Sequence, residues 1–375
     1  MMSLPVVDLA GDARAQGLAH GRALAGDIAH NLRTYLDRFE REAKLDRDTL
    51  LARTERYLEA LGDRAAEYRR GMEGIAEGAG QPFALIAMLN LRYELLYYQY
   101  GTVKAAEAAS RLGGEGYRAD PDGCTSFALL PAATAEGRLL VGQNWDWIPQ
   151  ARGALLRVRP EEGPARLGFT EAGIFGTKIG CNAAGIGLAI NGMLSTEDHW
   201  ERFSLPFHWR CHAMLGTTRF EDAVAVIADE PRACTTNYLV VQAPDHVLDL
   251  EAAPELLGRI GCADDCLAHA NHFEDPAALG VEEPPSLTRH YSRHRAARLT
   301  ALLRERQPFS VESLQEALRD HDGRPNSVCR HEDGELPVTE RVRTVSSVIM
   351  DPEAGKLWAS DGPPCEGGYQ ELALD

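Results

Sequence analysis

The chain has 375 residues, 44% of them apolar and 25% charged, with a formal net charge of −17. That is the profile of a soluble globular protein, long enough to bury a large core without help from a disulfide or a metal. So acidic a chain repels nucleic acid and anionic membranes, while leaving room for one local basic pocket.

No basic stretch followed by an apolar run opens the chain, and no apolar run is long enough to span a bilayer. The C-terminal Leu372–Ala373–Leu374–Asp375 is not a peroxisomal address. The expected location is the cytoplasm. Eight scattered cysteines in so long a chain read as buried, reduced thiols rather than a disulfide framework.

The first third reads as helical. Leu24, Ile28, Leu32, Tyr35 and Phe39 mark one apolar face, and Leu58, Leu61, Ala65, Tyr68, Met72 and Ile75 mark a second. Gly78, Gly80 and Pro82 end that stripe, and a third, nearly all-apolar and therefore buried helix is expected from Pro82 to Tyr100. Gly101 to Asp122, with Gly113–Gly114 and Gly116, has the composition of a flexible linker.

From Cys124 the period changes to that of strands. Strands are predicted at 124–130, 138–143, 154–159, 165–170, 177–182 and 185–191. Helices follow near 206–216 and 220–229, then strands at 237–242, 246–251 and 267–271. Helices near 287–306 and 311–321 precede a final hairpin, 344–350 with 356–360. This order suggests two antiparallel sheets packed together with helices outside, an α/β (α+β) architecture.

The stretch Asp122–Gly123–Cys124–Thr125–Ser126–Phe127 carries the chemistry. A thiol that opens a strand after a linker can attack the carbonyl carbon of the preceding residue. An N-to-S acyl shift gives a thioester, which water hydrolyses, and Gly123 tolerates a strained backbone there. Cleavage exposes the α-amine of Cys124, whose pKa near ~7.7–8.0 leaves a useful neutral fraction at physiological pH. One residue then supplies both nucleophile and base. Read in isolation, the dipeptide favours a simple buried strand cysteine, and its surroundings reverse that.

Gly123–Cys124–Thr125–Ser126–Phe127 followed by Gly142–Gln143–Asn144–Trp145–Asp146 resembles the mature N-terminus of the penicillin (isopenicillin N) acyltransferase family of self-cleaving cysteine Ntn hydrolases. Further matching stretches are 185–191, Asn237–Tyr238–Leu239, Asp249–Leu250–Glu251, 269–273, Asp320–His321, Cys329–Arg330–His331, 349–352 and 362–365. The resemblance covers 124–375; residues 1–123 match the family's pro-chain only in length and helicity.

The resemblance implies a four-layer αββα sandwich in one integrated globular unit. Residues 1–123 would form a helical pro-segment and 124–375 the catalytic segment, with cleavage at Gly123–Cys124; the buried character of the third helix suggests that the two chains stay associated. It implies Cys124 as nucleophile, Asp146 orienting the new terminus, and Asn271 in the oxyanion hole with Asn191 beside it. Asp146 also reads as a turn residue, and Asn191–Gly192 as a hairpin turn. In the related bile salt hydrolases the position three before the aspartate is an arginine; Gln143 here favours the penicillin acyltransferase branch. The expected substrates are a small-molecule acyl donor, amide or thioester, and an amine or water acceptor. Acyl-coenzyme A is a candidate co-substrate, and no cofactor or metal is expected.

Other readings compete. Cys262, Cys266, His269 and His272 resemble a zinc cluster, but finger-type sites need a long connection between ligand pairs. A papain-like enzyme would pair Cys124 with His321 or His331 and keep its chain whole. A non-catalytic binding module is the third reading. Arg289, Arg293, Arg295, Arg298, Arg304 and Arg306 would either dock an anionic donor or form a salt-bridged, solvated face.

Overall fold

The computed structural model describes residues 3–96, 123–284 and 290–374. The expected linker, the end of the third helix at 97–100, and Arg289 lie outside the described residues.

The N-terminal segment is not purely helical as expected. Its first element is a strand, β1 (Val6–Gly11), which pairs in parallel with β4 (Gly153–Pro160). Val7 and Leu9 are the buried members of its alternating pattern. Helices follow: α1 (Ala13–Ala23), α2 (Ala25–Glu42), α3 (Arg47–Leu61), α4 (Ala66–Ala79) and α5 (Phe83–Asn90), and residues 92–96 are again helical. Asp12 and Asp46 cap α1 and α3 by accepting backbone N–H bonds at 2.8 Å from Ala15 and Thr49. The predicted stripe of α2 is buried at Ile28, Leu32, Tyr35 and Phe39.

The second stripe is two helices rather than one. Gly62, at φ +52°, turns the chain out of the helix and a short 3-10 segment joins α3 to α4. α1 and α4 pack backbone on backbone: a Cβ at Gly74 would lie 2.3 Å from the carbonyl oxygen of Arg14.

Strands β2 (Thr125–Leu129), β3 (Leu140–Trp147), β5 (Arg166–Glu171), β6 (Ile179–Asn182), β7 (Ile186–Gly192), β8 (Thr236–Gln242) and β9 (His246–Ala252) match the sequence reading, though β3 runs on to Trp147. So do β11 (Cys266–His269), β12 (Arg343–Asp351) and β13 (Lys356–Ser360). Strands β10 (Leu257–Ile260) and β14 (Tyr369–Ala373) had no prediction. The later helices are α6 (Phe207–Met214), α7 (Phe220–Ala228), α8 (Pro276–Leu279), α9 (His290–Glu305) and α10 (Val311–Leu318).

One sheet has the order β1-β4-β5-β6-β7-β8-β9-β10, the other β11-β2-β3-β12-β13-β14. They face each other across the main core, where Val141, Val348 and Met350 meet Leu167 and Leu188. Leu299, Leu303, Leu314 and Leu318 of α9 and α10 cover the outer face of the second sheet at Phe127, Leu129, Leu140 and Ile349. The N-terminal helices join the core on the side of the first sheet. The expected four-layer αββα order results, with residues 3–96 supplying both a strand and a helical layer.

The eight cysteines, all within the described residues, form no disulfide. Among the described residues no helix is long and apolar enough to cross a membrane.

Candidate active site

Cys124 immediately precedes β2 and is 5% exposed. It lines a narrow cleft with Asp146, Trp145, Lys178, Arg92 and Tyr93. Gly123 is fixed by crowding: a Cβ there would sit 2.2 Å from Nη1 of Arg330 and 2.7 Å from Oδ2 of Asp146. Only a residue without a side chain brings the 123–124 peptide so close to this carboxyl group.

Asp146 lies within β3, fully buried, and is not the turn residue its sequence context allowed. Its Oδ1 accepts a 2.7 Å hydrogen bond from Thr344 Oγ1. Its Oδ2 has no hydrogen-bond partner among the described residues. Burial pushes the carboxyl up to about 7, against the opposing pull of Arg295, Arg330 and the Thr344 bond.

Asn191 belongs to β7 and pairs with Asn237 of β8, so the hairpin-turn reading is wrong. Its Oδ1 accepts from Ser126 Oγ at 2.8 Å and from Asn237 Nδ2 at 3.0 Å, while its Nδ2 has no acceptor among the described residues. Asn237 Nδ2 also reaches Asp249 Oδ1 at 2.6 Å. His269 completes the buried chain, with Nε2 2.9 Å from Glu251 Oε1 and 3.9 Å from Asp249 Oδ2. Burial favours neutral imidazole, but these two carboxylates outweigh it and raise His269 to about 9. The imidazolium and its carboxylates hold the Asn237–Asn191 amides in one orientation.

Asn271 follows β11. Its Nδ2 donates to the Gly192 carbonyl at 2.8 Å, and its Oδ1 accepts from Arg295 Nη2 at 2.7 Å. Arg295 Nε in turn donates to Thr125 Oγ1 at 3.2 Å. The four residues singled out from sequence thus sit in one connected neighbourhood at the ends of β2, β3, β7 and β11. Gln143 is bolted between the sheets, its Oε1 accepting the Ile190 N–H at 2.6 Å.

Sequence reasoning missed the charged floor of the cleft. Glu171 of β5 accepts from Arg92, from Tyr35 Oη and, at 2.7 Å, from Lys178 Nζ. Trp147 Nε1 donates to Tyr35 Oη at 2.6 Å, and Lys178 Nζ lies 3.5 Å from the Trp145 ring centroid. Burial alone would raise the Glu171 carboxyl, but Arg92 and Lys178 hold it well below the usual range. Burial lowers Lys178 to about 8 although Glu171 favours its charged form. Tyr35 and Arg92 belong to the N-terminal segment, so that segment helps to build the cleft.

Arg295, Arg330 and Thr344 were also missed as site residues; Arg295 was legible only as one arginine of a run. Its neighbours Arg298 and Arg304 pair with Asp320 and Asp264, a salt-bridged face. The compact run at 262–272 does not converge: His269 turns to Glu251 and His272 to Ser292. His321 and His331 face each other and two other cysteines, and no histidine is among the described residues lining the cleft.

Two facing sheets between helical layers, with a cysteine opening a central strand at a polar cleft, define the class: an Ntn-type acyltransferase or amidohydrolase acting on C–N bonds. The chain belongs to the family described as acyl-coenzyme A:6-aminopenicillanic acid acyl-transferase, whose profile matches residues 133–364.

A curated relative, the 40 kDa form of acyl-coenzyme A:6-aminopenicillanic-acid-acyltransferase of Emericella nidulans, is 26% identical over 354 residues, covering 93% of this chain and 90% of its own. Among solved structures, a mutant of conjugated bile acid hydrolase from Clostridium perfringens is similar with a TM-score of 0.46 and 12% identity, over 67% of this chain and 92% of that one. The Caenorhabditis elegans ortholog of N-acylethanolamine-hydrolyzing acid amidase gives 0.45 and 16%, over 61% and 93%.

Proposed function

We propose that the chain cleaves itself between Gly123 and Cys124, and that the exposed N-terminal cysteine then transfers acyl groups through an acyl-Cys124 thioester. The observation that carries this reading is the buried Oδ2 of Asp146, aimed at Gly123 and without a partner among the described residues. An unsatisfied buried carboxyl oxygen is costly. A new α-ammonium on Cys124 would satisfy it with a charge-assisted bond.

Self-cleavage proceeds in two balanced steps. The Cys124 Sγ bonds to the Gly123 carbonyl carbon, the C–N bond breaks, and the thiol proton passes to the departing nitrogen. Asp146, poised near 7, is suited to relay that proton. Water then hydrolyses the thioester, leaving the Gly123 carboxylate, the thiol and the free amine.

In turnover the amine takes the thiol proton, Sγ attacks the donor carbonyl, and the amine returns the proton to the leaving group. The developing oxyanion needs preorganised donors. Asn191 Nδ2 offers hydrogens without an acceptor, and Asn271 Nδ2 keeps one beyond its bond to Gly192. Asp146 orients the amine, and the Asp249–Glu251–His269 chain holds Asn191.

The donor is an amide or an acyl-coenzyme A thioester, and the acceptor an amine or water; the distant fungal relative's name favours the acyl-coenzyme A route. A pure hydrolase of small N-acyl amines is the second reading, in which water rather than an amine takes the acyl group from Cys124. The segments before and after the cut remain together, because Tyr35 and Arg92 are bonded to Glu171 and Asn31 Nδ2 to the Arg152 and Ala172 carbonyls. Acid-quenched intact mass with an acyl donor tests the reading. The acyl mass should appear on the chain beginning at Cys124 and be released by hydroxylamine. An active enzyme with the label elsewhere, or with no thioester under single-turnover conditions, overturns it.

A further inference from the structure

Four side chains that the chemistry at Cys124 does not use converge beside the end of the second sheet where β12 begins. His321 follows α10, Cys329 and His331 precede β12, and Cys365 lies between β13 and β14. One ligand atom from each lies within 4.8 Å of the other three. The separations are 3.0 Å for His321 Nε2 to His331 Nε2 and 3.6 Å for Cys329 Sγ to Cys365 Sγ. His331 Nε2 is 3.6 Å from Cys329 Sγ and 3.3 Å from Cys365 Sγ.

A tetrahedral ion with bonds of about 2.3 Å to sulfur and about 2.05 Å to nitrogen has edges of roughly 3.8 Å (S–S), 3.3 Å (N–N) and 3.5 Å (S–N). These four separations lie within a few tenths of an ångström of those edges, and both His321–thiol separations are within 4.8 Å, so closing the site asks only for a small shift of the exposed His321. One proton between the two imidazoles would satisfy only that pair and leave the thiols without a strong partner.

We propose that His321, Cys329, His331 and Cys365 form a structural zinc site. The donor set of two thiolates and two imidazoles is the one that tetrahedral zinc takes in closed structural sites. Binding displaces the two thiol protons to solvent, so two thiolates neutralise the dication and the imidazoles stay neutral. The outer partner that such histidines take is also present: His331 Nδ1 lies 3.3 Å from Glu366 Oε1, which fixes the tautomer that leaves Nε2 for the ion.

The site has a structural task. The chain from Arg319 to Val342 carries a single 3-10 turn, Val338–Glu340, and is long for an unsupported loop. It contains Arg330, between two of the ligands. The Arg330 backbone N–H donates to Thr344 Oγ1 at 2.9 Å, and that hydroxyl donates to Asp146 Oδ1 at 2.7 Å. Zinc on residues 329 and 331 would pin the loop that sets Arg330 and Asp146 against Gly123.

The test begins with protein purified under reducing, anaerobic conditions without chelator. Elemental analysis should give one zinc per chain. Cobalt(II) added to the chelator-stripped protein should give the intense visible bands of a tetrahedral site and a thiolate charge-transfer band. Cys365→Ser and His321→Asn, both at exposed positions, should lose the charge-transfer intensity or the stoichiometric metal, whereas Cys262→Ser should keep both. Glu366→Gln, which removes no ligand, should weaken zinc affinity about 10–100-fold. Wild type that takes up no stoichiometric zinc or cobalt, an octahedral cobalt spectrum, or a Cys329–Cys365 disulfide in anaerobically purified protein would each overturn the proposal.

Discussion

Glu171→Gln removes a carboxylate that lies between two buried cations while nearly preserving its shape. Arg92 and Lys178 are 4% and 2% exposed, so neither recovers its loss in water. Breaking a buried ion pair from one side costs ~3–5 kcal/mol. With an unfolding entropy of roughly 2.1 cal/mol/K per residue, a chain this long has about 0.8 kcal/mol/K in total, so a loss of ~4 kcal/mol lowers the melting midpoint by about 5 °C. Lys178, already lowered to about 8, should shed its proton near neutral pH once Glu171 is gone. The double variant Glu171→Gln with Lys178→Met should therefore recover much of the loss. Calorimetry at fixed scan rate reads both, since so large a chain can unfold irreversibly. A Glu171→Gln midpoint within about 1 °C of wild type, or a double variant no better than the single, refutes the reasoning.

Asp146→Asn should slow self-cleavage by ~10² or more, read as the precursor fraction over time on gels. Wild-type processing should quicken as pH rises through about 7, where the carboxyl ionises, and the variant should show no such rise. Asn191→Ala should lower kcat ~10²–10³-fold with little change in the extent of cleavage at long times, measured by steady-state kinetics beside intact mass. His269 is raised to about 9, so its stabilisation is complete below 6.5 and lost as pH climbs through about 9. The stability gap between wild type and His269→Gln, at most about 3 kcal/mol, should therefore close over that window in denaturant titrations; a gap independent of pH contradicts the imidazolium.

The strands after Cys124 were legible as short apolar-rich runs bounded by turn residues such as Gly137, Gly163 and Gly185, although most of the central ones are buried on both faces and do not alternate. The stretch Gly123–Cys124 and the polar positions Asp146, Asn191 and Asn271 were legible as residue types in a pattern. Their settings were not. Asn191–Gly192 carries turn chemistry, yet tertiary pairing with Asn237 keeps it in a strand. β1 was hidden because Val6–Gly11 is short and owes its strand to β4, more than a hundred residues on. Gly62 lies inside a continuous apolar stripe, and period alone cannot show that the chain turns there. Arg92 joins Glu171 and Lys178 from 79 residues away, and Cys365 joins the His321–Cys329–His331 run from 34 residues beyond His331, so spacing alone completed neither group. The zinc reading was weighed at 262–272, where four candidate ligands lie in one short run, whereas 321–331 carries only three and its fourth comes from Cys365.

The most direct measurement is the covalent continuity of the purified chain across residues 123 and 124. Intact mass and N-terminal sequencing should give two chains for wild type, the longer beginning Cys-Thr-Ser-Phe, and one uncut chain for Cys124→Ala. Fully active wild-type enzyme whose backbone remains unbroken at that peptide would contradict the mechanism at its root.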